Sequence, residues 1–212
     1  MPRSDDYQTS VALAVAELKN LNPKRLENRT GAQYFVEDAQ EGLILFYFGQ
    51  ARRITWPEVR VTPGNGQGEI PLPEQILILH YVLNALGEPL TGRTIDFRQV
   101  PEGGFYWSAF VSRAKKPLLS TFGHDLQLYL KVAASLGGEP LPLGDAAARF
   151  MAFPRVPITH VLWKGDEEFA PEATILFDET ISQYLPTEDI AALSGASVYR
   201  LMGAAHQFRQ SR

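Results

Sequence analysis

The residues of this chain best suited to chemistry gather in one stretch, Asp145 to Asp178: DAAARFMAFPRVPITHVLWKGDEEFAPEATILFD. Three consecutive acids, Asp166, Glu167 and Glu168, follow Gly165, with His160 and Trp163 before them and Phe169 and Asp178 after them. Paired carboxylates can hold a hard divalent cation, with Asp166 and Glu168 as the candidate ligands. They can also divide into acid and base where their surroundings push their pKa values apart. The aromatic residues offer a third use. Trp163, Phe169 and Trp107 would line an apolar pocket whose few polar groups are His160, Asp166, Glu167, Glu168 and Asp178, the usual make-up of a small-molecule site. Against each use stands a structural reading: an acidic triplet after a glycine is ordinarily a solvated turn, and aromatic side chains ordinarily fill cores. These residues by themselves assign no catalytic role and no cofactor.

Several chemistries are removed by what the 212 residues lack. Without cysteine there is no disulfide, no thiolate zinc site, no cysteine-held iron–sulfur cluster and no cysteine nucleophile, so any metal would rest on oxygen or imidazole. No G-x-S-x-G elbow is present, since Leu193-Ser194-Gly195 lacks the first glycine. Pro63-Gly64-Asn65-Gly66-Gln67-Gly68 lacks both the lysine of a P-loop and the dinucleotide fingerprint, and reads as loop. The four histidines, at 80, 124, 160 and 206, form no H-E-x-x-H, and a single His124 or His160 is no signature of haem. Twenty basic residues against 24 acidic, a net charge of −4, argue against nucleic acid as a partner. The opening MPRSDDYQTS lacks the basic start and apolar stretch of a signal peptide, and the apolar run Ile76 to Leu79 is far too short to cross a bilayer. The expectation is a cytoplasmic protein with no membrane partner.

The elements that must position these residues are legible in outline. A hydrophobic fraction of 45% with 21% charge is that of an ordinary globular chain, and a core of this size buries about 70% of the unfolded surface without staples. Val11, Val15, Leu18 and Leu21 predict an amphipathic first helix stopped by Pro23. Asn28 to Gly31 reads as a polar turn, and residues 32 to 62 as a β-meander. The Pro/Gly stretch 57–73 is a surface loop, or else a subdivision of the domain. Gln75 to Leu86 is apolar on nearly every side and should lie buried as a helix against the sheet, with His80 inside it and Gly87 as its cap. A strand is expected near Thr94 to Arg98, a helix from Gly103 that ends before Pro117, and a helix from Leu118 to Leu136 stopped at Gly137-Gly138. Arg149–Phe153 and Ile158–Lys164 read as two strands joined by a proline turn, the second an inner strand. Ala173–Phe177 follows, then a short helix capped by Asp178, another capped by Thr187, and a terminal helix from Ala196 to Phe208. Together these predict one α+β domain over residues 1–212, an antiparallel sheet from 32–62 plus 149–177 with helices packed over it.

Across much of this length the chain resembles a known family. Arg29-Thr30-Gly31-Ala32, Leu90-Thr91-Gly92 with Asp96-Phe97-Arg98, Phe122-Gly123-His124-Asp125, Phe153-Pro154-Arg155-Val156-Pro157, the block Leu162 to Phe169 and Leu185-Pro186-Thr187-Glu188-Asp189 carry the likeness. Together they resemble an uncharacterised prokaryotic domain-of-unknown-function family, number 3786, from about residue 25 to 195, most specifically around Trp163. Some members look like fusions to a cysteine-rich iron–sulfur segment, which implies anaerobic redox or cofactor metabolism. No cluster carries over to a chain without cysteine, and the family transfers no catalytic residues.

The first expectation is therefore a cytosolic small-molecule or cofactor-binding accessory protein of anaerobic-type metabolism. The alternative is a carboxylate-based enzyme, with or without a divalent metal. A third is a protein-interaction subunit, homo-oligomeric through an apolar patch of Tyr199, Leu201 and Met202 on the C-terminal helix.

Overall fold

The structure, a computed structural model, describes residues 4–210. Its class is α+β, with antiparallel sheets and helices packed beside them. The strand regions expected to share one sheet form two. Strands β1 (Gln33–Glu37), β2 (Gln40–Tyr47), β3 (Gln50–Trp56) and β4 (Arg60–Pro63) pair in chain order as a meander. Strands β5 (Thr94–Asp96), β6 (Glu139–Pro140), β7 (Ala146–Phe153), β8 (Val156–Trp163) and β9 (Glu172–Asp178) form the second sheet in the order β5-β9-β8-β7-β6. The chain divides into two compact units. One is built from residues up to Pro89 with Phe153–Arg155 and Gln183–Leu185; the other holds Leu90–Ala152, Val156–Ser182 and the chain from Pro186 on.

In the first unit, α1 (Ser4–Leu18) is followed by a helix that the sequence pattern does not show, α2 (Pro23–Thr30). Pro23 starts this helix rather than ending the previous one, because the first turn has no use for the missing N–H. Asn22 caps it by accepting from the Lys24 amide at 2.9 Å, and Gly31 closes it with φ 66°. The meander turns at Asp38-Ala39 with φ of 50° and 63°, the left-handed geometry that matches the twist of two antiparallel strands. Helix α3 (Leu72–Asn84) takes Pro73 in its first turn and ends at Ala85, ahead of Gly87. Ile76 to Leu79, Tyr81 and Val82 are buried, and the helix packs chiefly against α1. The Tyr81 hydroxyl donates to the Thr30 carbonyl at 2.7 Å, and its ring stacks on Phe153 at 4.2 Å and on Tyr184 at 5.8 Å. The stretch 57–73 expected as a loop contains β4 and the start of α3, and all of it lies within this unit.

In the second unit β8 is the middle strand of five, as its two apolar faces predict. The helix from α4 (Gly103–Phe110) does not end before Pro117. It passes through a π turn at Val111–Lys115 into α5 (Lys116–Phe122), because the wider turn accommodates a residue with no N–H to give to the preceding one. The helix expected from 118 to 136 is two: Gly123 to Asp125 break it, and Asp125 caps α6 (Leu126–Ser135) by accepting from the Leu128 amide at 2.9 Å. Gly137, at φ 77°, stops α6 where the sequence predicts. The two C-terminal helices are one, α7 (Thr187–Gln210), which packs on α4, the π turn, α5 and α6. Gly195 allows a close approach to the π turn: a Cβ there would stand 3.3 Å from the Arg113 carbonyl oxygen. Among the described residues, no helix is long and apolar enough to cross a membrane.

Candidate functional site

The loop between β8 and β9 is shaped by its own residues. Asp166 Oδ1 accepts from the amides of Glu168 at 2.9 Å and Phe169 at 2.7 Å, while the Asp166 amide donates to the Phe169 carbonyl at 2.9 Å. The amides of Phe169 and Glu168 hold the Asp166 carboxyl below its usual range. Gly165 is required by close approach: a Cβ there would lie 2.7 Å from the Pro171 nitrogen and 2.8 Å from the Phe169 oxygen. The closed loop holds Phe169 outward, 69% exposed, beside Glu167 and Glu168. Neither of those glutamates has a side-chain partner among the described residues.

Gly165 to Pro171 and His124 line an open depression of about 380 Å³. His124 reaches it because the corner between α5 and α6 comes close to Pro171, so close that a Cβ on Gly123 would stand 3.2 Å from Pro171 Cγ. At the edge of the loop, Glu172 pairs with Lys115 at 2.6 Å. Burial alone would raise the Glu172 carboxyl, and the hydrogen bonds from Lys115 and the Ala173 amide bring it below its usual range.

Asp166, Glu167, Glu168 and Phe169 are thus brought together, and the other four candidates stand elsewhere in the unit. Trp163 ends β8, 40% exposed, packed against Gly144. Trp107 lies on α4, where the Arg98 guanidinium sits 4.1 Å over its ring. Asp178 is buried at the end of β9 and fully engaged. It accepts from the Gly92 amide at 2.8 Å, the Thr180 amide at 3.1 Å and the Thr180 hydroxyl at 2.8 Å, tying the Thr91-Gly92 turn to the short helix that it caps. His160 is fully buried on β8, its Nε2 2.9 Å from Ser197 Oγ on α7. Loss of solvation pushes its pKa down to about 3, so it is neutral at neutral pH. Among the described residues, no group of three or more His, Asp or Glu side chains is placed to hold a metal ion, and Asp166 Oδ1 is already committed to the turn. In the sequence His124 is one of four scattered histidines; the signal for its place is the glycine before it, which ends α5.

The family model described as Domain of unknown function (DUF3786) matches residues 22–200. The chain belongs to the DUF3786 family. Its matched span runs from the cap of α2 into α7 and takes in both sheets and the loop Gly165–Pro171, leaving α1 outside. No curated protein and no solved structure matches this DUF3786 chain.

Proposed function

We propose that this DUF3786 chain is a cytoplasmic accessory protein that binds a small organic cation on the loop Gly165–Pro171. The observation that carries the reading is an aromatic side chain held out in solvent by a self-locked turn, beside two carboxylates with no partner of their own. Phe169 offers a ring face to a cation, and Glu167 and Glu168 offer opposite charge. The prefixed turn lowers the ordering cost of binding. A cytoplasmic setting suits a chain without cysteine. A divalent-cation enzyme has less support, since the carboxylates of the triplet do not converge with a third ligand.

The test is titration of the isotopically labelled protein with tetramethylammonium and with arginine ethyl ester, following amide resonances. Saturable shifts confined to residues 165–171 and His124 are expected. Phe169→Ala should weaken binding roughly fivefold, the equivalent of about 1 kcal/mol for an exposed cation–π contact. No saturable shift with either cation at millimolar concentration would end this reading.

A further inference from the structure

The interior of the second unit holds two polar atoms that find no hydrogen-bond partner among the described residues, Tyr129 Oη on α6 and His160 Nδ1 on β8. Both residues are fully buried, and their ring centroids are 6.5 Å apart. Ser197 sets the polarity of the imidazole. Its hydroxyl donates to the Ser194 carbonyl at 2.7 Å, which leaves its oxygen to accept from His160 Nε2–H at 2.9 Å. Nδ1 therefore keeps its lone pair and is an acceptor, while the Tyr129 hydroxyl brings a proton. The neighbouring walls are apolar: Phe150 lies 5.5 Å from the His160 ring and Phe122 5.6 Å from the Tyr129 ring. The Ala148 amide is close to the tyrosine oxygen without meeting hydrogen-bond geometry.

We propose that one buried water molecule bridges Tyr129 Oη and His160 Nδ1, accepting from the phenol and donating to the imidazole. Leaving either atom bare costs about 1–3 kcal/mol, and folded proteins meet that cost with ordered water where a donor and an acceptor face one site. The chain Tyr129–water–His160–Ser197–Ser194 then links α6, β8 and α7 through polar contacts.

An atomic-resolution crystal structure of the full chain should show one density peak within hydrogen-bonding distance of both atoms. No peak, separate peaks each touching one atom, or a direct bond between the two side chains would overturn the proposal. Long-range proton–nitrogen NMR supplies a second readout on the unmodified protein. His160 should carry its proton on Nε2, with Nδ1 pyridine-like; the opposite tautomer is incompatible with the bridge. Tyr129→Phe keeps the ring and removes the donor, so the Nδ1 resonance should move in that variant, and an unmoved resonance would count as a refutation.

Discussion

Asp178 and His160 look alike in the sequence as polar residues in a stretch suited to chemistry, and the fold gives them different work. Burial alone would raise the Asp178 carboxyl, but the hydrogen bonds from the Thr180 hydroxyl and amide and from the Gly92 and Thr91 amides outweigh it and hold the pKa below the usual carboxylate value. Asp178→Asn keeps the shape and loses an acceptor, so it should destabilise the protein by about 1–3 kcal/mol in urea unfolding. His160 acts in the same pH direction from a different cause, the loss of solvation on burial. Its folded pKa of about 3 lies below the unfolded 6.5, so its contribution is complete above pH 6.5 and declines as pH falls toward 3, by about 1.4 kcal/mol per pH unit. Urea midpoints measured between pH 7 and pH 5, above the range where most carboxylates titrate, should fall in the wild type and stay nearly level in His160→Gln. Asp166 to Phe169 could be read as one group because they are consecutive. The partners of His160 and Asp178 could not, because Ser197 is 37 residues from the first and Thr91 is 87 from the second.

Among the elements, those marked by local chemistry were readable. The meander announces itself through apolar runs separated by polar turns, and the end of α6 through Gly137. Elements that depend on how a proline is accommodated were not. Pro23 and Pro117 both read as helix stops; one opens α2 and the other lies beyond a π turn, and in each case the missing N–H falls where no ordinary i→i−4 bond is needed. The break at Gly123 was hidden because the apolar spacing continues across it. Asp125 is what restarts the helix, so Asp125→Ala should cost about 1 kcal/mol, read by chemical denaturation, with the loss localised to the first turn of α6 by amide exchange. The expected apolar patch on the last helix is reduced in the same way by packing: Leu201 is buried, and Tyr199, at 54% exposure, is the large side chain left outside.

At the scale of the whole molecule, the first unit is not a contiguous piece of sequence. Phe153–Arg155 is the tip of the β7–β8 hairpin, and Gln183–Leu185 precedes α7, yet both segments belong with residues up to Pro89. They bring Phe153 and Tyr184, both fully buried, onto Tyr81. They also bring the Arg155 guanidinium to the Asn28 carbonyl at 3.0 Å. Removing a buried aromatic of this kind typically costs 3–5 kcal/mol, a large part of a small domain's stability. A fragment of residues 1–89 should therefore lack a cooperative thermal transition, and one that unfolds as sharply as the full chain would contradict this account. The same discontinuity sets a timetable. At about 5–20 residues per second of synthesis, the meander and α3 leave the ribosome roughly 5–20 s before Tyr184 does. Throughout that interval the nascent first unit must keep its unfinished aromatic core from sticking to other chains, so the protein's exposure to chaperones is set by the position of its last core residue.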